Sequence, residues 1–464
     1  MWRPFLIAGA AVFGAALCAE APDVTFHKDV ETILQRNCQI CHRPGQVAPM
    51  SLLTYQDARP WARAMKTAVT SGKMPPWFAD PHYGPYMNDR SLKPRDIDTI
   101  ARWADGGAPE GDSADAPPRI EWPEGWLLKP DVVVPGPTTS VPASTRNNVV
   151  EWITVIMPSG FTKDTWVSSV QVKPEHPEVT HHICIGYVPH DPAVAYGVAY
   201  WADKERDDDG AARPDKGPTF LGTGVARSTD LNPTPVVGRG GVRTAPPAPA
   251  QDCYLPGNFA ADYRQLNAGR LIPAGSDIAF NLHYTPNGTA VTDHVTVGFT
   301  VLAAPPERRY VSYVTSSPTD PKRFAIPPND PNWESPPAEV TFLHDAELVY
   351  LMPHMHARGK DMTYSIEYPD GRRQVVLSVP RYDFNWQLGY YTSIKVPKGS
   401  KLHVDAHFDN SAGNRANPNP NKTVYYGSMT WEEMMNPFYS LVIDRDVDPD
   451  QVVRSKHLQV GDGG

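Results

Sequence analysis

Cysteine is scarce in this chain: there are five in 464 residues, too few for a fold held together mainly by disulfides. Beyond Cys38 and Cys41 there is no second closely spaced pair to complete a four-sulfur zinc site. A long basic block is also missing. With 43 lysines and arginines against 52 acidic residues the formal net charge is −9, so the electrostatic footprint of a nucleic-acid binder is absent and no nucleic-acid partner is expected. The apolar run Phe5 to Leu17 is too short for a comfortable membrane span, and stable insertion into a bilayer is not expected. Glycine and proline, 34 and 50 residues, stay below the roughly 25–30% that marks a disordered chain, so the prolines read as punctuation between strands.

What is present starts with Trp2-Arg3, the apolar run, and small residues around Ala19 and Ala21: the layout of a secretory signal over residues 1–21. Cys18 raises lipid modification, but Leu17 before it is larger than such a site expects, and export without an anchor is the better reading. A periplasmic or secreted location follows. In that oxidising setting Cys184 and Cys253 are allowed to pair.

Residues 22–112 read as a small all-α domain. Val30, Ile33 and Leu34 precede the pentapeptide Cys38-Gln-Ile-Cys41-His42; Trp61, Ala64, Met65 and Ala68 follow a helical period. Ser91 and Pro94 open a further helix that carries Ile97, Ile100, Ala101 and Ala104 and stops at Gly106-Gly107. Two thiols three apart followed at once by a histidine can hold a haem covalently and ligate its iron, which makes this a cytochrome c-like segment with covalently bound haem c. On a helical turn Cys38 and Cys41 face the same way. A dithiol redox pair or half a zinc site would not demand His42. Met74, in Met74-Pro-Pro-Trp77, is the preferred sixth ligand, with Met50, Met65 and Met87 in competition. The runs from His42 to Met50 and from Trp103 to Gly111 resemble the cytochrome domains fused to bacterial copper oxygenases.

Residues 113–145 are rich in proline and acidic side chains and read as a linker. Beyond them the period becomes two. Val295, Val297, Phe299 and Val301 alternate with polar or small residues, as do Leu402, Val404, Ala406 and Phe408, and Pro-Gly turns separate many such segments. Two all-β antiparallel sandwich domains are expected, 146–303 with a loop insertion at 201–256, and 304–464.

Two groups of histidines stand out. His181 and His182 with His283 offer three imidazoles, a donor set favoured by copper in both oxidation states. Neighbours in a flat strand point to opposite faces, so the adjacent pair needs a strand end or a bulge to turn both rings to one ion. His354 and His356, two apart after Leu348-Val-Tyr-Leu-Met-Pro, read as one face of a strand. A soft third ligand would favour reduced copper; Met434 is the candidate, and Met429 and Met435 are rivals. Taken singly, each of these residues also reads as packing or surface. His403 and His407 share a face and read more simply as a hydrogen-bonded strand face than as a further site.

The order His-His, His-Tyr-Thr, His-x-His followed by Gly359, and Glu-Glu-Met resembles the copper type II, ascorbate-dependent monooxygenases, the family of dopamine β-monooxygenase and the peptide amidating oxygenase, over roughly Trp152 to Asp446. The resemblance implies two jelly-roll-like sandwiches with one copper each, facing across a solvent cleft. It assigns the electron-delivering copper to His181, His182 and His283, and the dioxygen-activating copper, with the catalytic role, to His354, His356 and Met434. It implies a small-molecule substrate, O2 and a reductant, ascorbate-like or another redox protein. Met352 stands where the peptide amidating oxygenase has an arginine that grips a substrate carboxylate, which argues against a peptide C-terminus as substrate. The expected function is hydroxylation of a C–H bond, with electrons relayed through the fused haem; the alternative is a periplasmic copper-binding or electron-transfer protein without oxygenase activity.

Overall fold

The computed structural model describes residues 24–123, 125–145, 150–192, 195–197, 199–201, 251–318, 320–427 and 430–455. The signal segment 1–21, most of the 201–256 insertion, Met429 and residues 456–464 lie outside the described residues. The chain is β-rich and multidomain, with a short helical part followed by antiparallel sheets.

The first sandwich stacks two five-stranded sheets. In one, Val132–Val141 pairs with Val291–Val301, which pairs with Thr165–Lys173. In the other, Asp277–Tyr284 lies between Val150–Pro158 and Thr180–Val188, and Gln251–Tyr254 closes the far side. The alternation in Val291–Val301 places Val295, Val297 and Phe299 in the core between the sheets, opposite Ile183 and Phe280. Because Val132–Val141 is a strand, the linker is shorter than its proline content indicates. That strand is the edge of its sheet, where Pro135 and Pro137 need not donate to a neighbour, and the ladder breaks register between Pro135 and Thr138. Gly136 is required there, since a Cβ would come within 2.9 Å of the Phe280 ring.

The second sandwich stacks a four-stranded sheet, ordered Arg308–Val314, Phe438–Asp444, Ala346–Met352 and Tyr390–Val396, on a six-stranded one centred on Gly359–Glu367 and Lys401–Phe408. Leu402, Val404, Ala406 and Phe408 point into its core. The four-stranded sheet is buried on both faces. Leu348 and Leu441 belong to the second core, while their neighbours Val349 and Val442, with Tyr310, belong to the first. Strand alternation thus joins the two sandwiches through a shared apolar layer.

The helices Glu31–Asn37, Ala62–Thr70 and Pro94–Asp105 enclose Phe26, Leu34, Ile100 and Trp103. In Ala62–Thr70 the buried face is Ala62, Met65 and Val69, whereas Trp61 is exposed, so the expected face is turned by about one residue. Trp61 belongs to the 3-10 turn ahead of the helix, and alanines on either side do not discriminate between faces. Residues 77–91 leave the helices and pack on the second sandwich: Trp77 lies 4.8 Å from Tyr390, Tyr86 OH donates to the Val376 carbonyl at 3.1 Å, and Asn88 and Tyr391 bond at 2.9 Å. Among the described residues no helix is long and apolar enough to cross a membrane.

Candidate metal centre

His181 and His182 begin the strand Thr180–Val188, and His283 lies on Asp277–Tyr284 beside it. His182 is the cross-strand partner of His283, whereas Thr180 pairs with Tyr284, so His181 is the extra residue of a bulge. The bulge turns both neighbouring rings to one side. One ring nitrogen from each of the three histidines lies within 4.8 Å of the others. The Nδ1 atoms of His181 and His182 are 3.0 Å apart; two imidazole nitrogens each about 2.0–2.1 Å from one ion and at right angles would be about 2.9 Å apart. His181 Nε2 bonds the Phe384 carbonyl at 3.1 Å, which places its proton on Nε2 and leaves the Nδ1 lone pair toward the group. Burial holds His181 down to about 4, partly offset by that carbonyl. Burial, then the neighbouring rings, hold His182 and His283 well below the ordinary histidine range. All three are neutral near pH 7, the form a metal requires.

His354 and His356 are not on a strand. Ala346–Met352 ends before Pro353, which cannot donate to a ladder, and both histidines sit in the connection to Gly359–Glu367. Their common side survives because Met355 between them is fully buried in the second core. The rings are 5.4 Å apart between centroids. His354 Nδ1 lies 2.9 Å from Gln387 Oε1 and His356 Nδ1 lies 3.1 Å from the Glu432 carbonyl, so each acceptor holds the proton on Nδ1 and presents Nε2 as the lone-pair nitrogen. Burial holds His354 down to about 4, with Gln387 opposing.

Met434 is buried on the segment bonded to this connection. Asn436 N–H donates to the His354 carbonyl at 3.0 Å, and the Glu433 carboxylate accepts from His356 N–H at 2.9 Å and Arg358 N–H at 2.6 Å. Asn436 Nδ2 approaches the Met434 sulfur at 3.3 Å. Burial raises the Glu433 carboxyl to about 7, while Arg358 and the backbone N–H groups pull it down. Met435, a rival ligand, is instead fully buried in the second core.

The two groups meet. The resemblance implies a solvent cleft between them, yet His182 and His354 lie 6.4 Å apart between centroids, and His181, the most exposed of the five rings, is 9% accessible. Phe384 joins them, stacked on His181 at 4.7 Å and 6.0 Å from His356. Phe384 and Gln387 were not evident from the sequence, because they come from a connection of the second sandwich with no motif of its own. Glu433 stands inside the Glu-Glu-Met signal but carried no assigned role. His403 lies near Glu339 and Glu367, and His407 bonds Asp361 at 2.7 Å, which makes these two histidines a polar strand face.

Cys38 caps the helix Glu31–Asn37 with φ −121°, and its carbonyl accepts from Cys41 N–H at 3.1 Å and from His42 N–H at 2.9 Å, which closes a turn of helical span over Cys38 to Cys41. Cys38 packs on the helical core, and Cys41 with Ile40 on the first sandwich. Burial pushes the Cys38 thiol up to about 12 and raises Cys41 despite Arg90 and Arg43, the opposite of the activated thiolate a dithiol catalyst needs. His42 Nδ1 lies 3.3 Å from the Met50 carbonyl, leaving Nε2 as the ligating nitrogen. This donor set fits a covalent haem. Met74 is half-buried after Ala62–Thr70, on the loop that Trp77 draws toward the second sandwich. Cys184 and Cys253 are directly opposed on neighbouring strands and disulfide-bonded.

No family model and no curated protein matches this chain. Among solved structures it aligns with the crystal structure of the infectious bursal disease virus VP2 subviral particle at 10% identity and TM-score 0.18, over 71% of this chain and 75% of that one. The structure of the infectious bursal disease virus Gx strain aligns at 8% identity and TM-score 0.17, over 73% and 80%. Similarity of that size carries no argument about fold or function.

Proposed function

We propose that this chain is an exported copper monooxygenase that hydroxylates a C–H bond of a small organic molecule with O2, its electrons delivered through a c-type haem on Cys38, Cys41 and His42. The observation that carries the reading is the meeting of five buried imidazoles from two sandwiches at one junction, with Met434 bonded alongside through its own segment. His181, His182 and His283 would hold one copper; His354, His356 and Met434 would hold the other. Copper in those places supplies one-electron chemistry and a site for dioxygen.

The protein's own part is positional. The bulge at His181 and the cross-strand pair His182–His283 aim three neutral nitrogens at one point. Gln387 and the Glu432 carbonyl fix the tautomers of His354 and His356. Burial shields both groups from water and keeps protons off His181, His182, His283 and His354. One oxygen atom enters the substrate C–H bond; the other leaves as water after taking two electrons and two protons from the reductant. Met352, buried and 3.6 Å from the Tyr350 hydroxyl, offers no charge to a substrate carboxylate.

Purified full-length protein should carry two copper ions and one covalent haem per chain. After reduction it should incorporate one atom of labelled O2 into a hydroxylated product. The burial of His354 and His356 favours the second reading, a copper electron-transfer protein. Fully loaded protein that is reoxidised by O2 at a rate no candidate substrate changes would decide for that reading.

A further inference from the structure

Away from the histidines, the helices, the segment after Asp115 and the outer sheet of the first sandwich line a half-open cavity of about 1050 Å³ that shares no residue with either metal group. We propose that this cavity binds a small organic carboxylate on Arg43. Arg43, next in sequence to His42, lines the cavity and is only 7% exposed. Its guanidinium lies over the Trp122 ring at 4.8 Å, and its Nε is buried with no hydrogen-bond partner among the described residues. Burying a guanidinium N–H with no acceptor is costly, so among the described residues the arrangement is incomplete.

The described acids in the wall do not complete it. Glu31 is bonded to His27 at 2.8 Å, Glu175 faces His294 at 4.0 Å, and Glu121 is exposed. Gln39 accepts from the Trp122 indole at 3.4 Å and donates to the Leu52 carbonyl at 3.0 Å. That holds the indole, and with it the guanidinium plane. A planar fork fixed on an aromatic face matches the two oxygens of a carboxylate. The volume reaches the upper range of small-molecule sites, so it admits an organic body beyond the carboxylate, against Leu53, Tyr55 and Ile120. The inference does not depend on metal chemistry.

The test is titration calorimetry of the full-length protein with succinate and benzoate. Saturable binding of at least one is expected, weakened about 10-fold or more in Arg43→Gln and partly retained in Arg43→Lys. Should Arg43→Gln fail to fold, the wild-type chain still decides. The bound carboxylate should slow phenylglyoxal labelling of Arg43 in peptide mass maps. Absence of saturable binding of both carboxylates up to about 10 mM, equal affinity in Arg43→Gln, or unprotected labelling would each overturn the proposal.

Discussion

At the scale of single residues, Gln387 separates positioning from ligation. It touches His354 through Nδ1, the nitrogen turned away from the proposed ion, so Gln387→Ala removes the orienting partner and no ligand. Loss of such a partner typically weakens metal affinity about 10–100-fold. Copper at the His354 group should weaken by that amount while the His181 group stays loaded, as read by metal analysis and cupric spectra after dialysis against graded chelator. Met434→Ala should abolish product formation with haem content unchanged; full turnover in a metal-loaded variant would remove Met434 from the site. Acid sensitivity belongs to the same scale. His181 and His354 are held at about 4 in the fold against an ordinary value of about 6.5, so between these values the unfolded chain binds more protons. Their contribution to the stability of metal-free protein is complete above about pH 6.5 and is lost as the pH falls toward about 4. Glu433, raised to about 7 in the fold, works the other way over the same range, so urea midpoints in chelator should fall between about pH 6.5 and 4.5 by the excess of the histidine contribution over that of Glu433.

At the scale of elements, the connection carrying His354 and His356 depends on a glycine close by. A Cβ on Gly359 would lie 2.6 Å from Met355 Cβ and 2.8 Å from the Tyr382 ring. Gly359→Ala must therefore displace Met355, the core residue that keeps both histidines on one side. The expected loss is about 1–3 kcal/mol of stability, together with weaker copper binding at that group. A variant as stable as the parent and with full copper affinity would show that Met355 does not set the histidine spacing. The cross-strand bridge Cys184–Cys253 closes a separation of 69 residues beside His182. Its removal as a double serine variant should cost about 2–4 kcal/mol in urea unfolding.

This scale also separates what was legible in the sequence from what was not. The histidine pairs, the alternation in Val291–Val301 and the need for a strand end or a bulge at His181-His182 are local patterns, and local geometry expresses them directly. Phe384 over His181 and Gln387 against His354 depend on how one sandwich meets the other, which no short spacing encodes. Val132–Val141 was hidden by prolines that only an edge position tolerates, and edge or centre is decided by pairing with a strand some 160 residues away.

At the scale of the whole molecule, the two histidine groups sit 6.4 Å apart because the sandwiches share the four-stranded sheet as a common wall. Val349 and Val442 face the first core and Leu348 and Leu441 the second, so separating the sandwiches would expose one face of that sheet to water. Each fully buried valine or leucine contributes about 1.5–3 kcal/mol, and the backbone bonds of Gly269 to Arg308 and Tyr310 and the Arg270–Ser312 bond add polar links across the same boundary. The two sandwiches should therefore unfold in one calorimetric transition rather than two. Val349→Asp buries a carboxylate in that wall, where the Arg270 guanidinium is already paired with Asp252 at 3.0 Å, and a loss of about 3 kcal/mol or more is expected. The variant should also bind copper more weakly at the His181 group, which loses its contacts with Phe384 once the wall opens. Two resolved transitions in the wild-type chain, only one of them shifted by Val349→Asp, would mean that the sandwiches stand independently and that the junction of the five imidazoles is not held by this sheet.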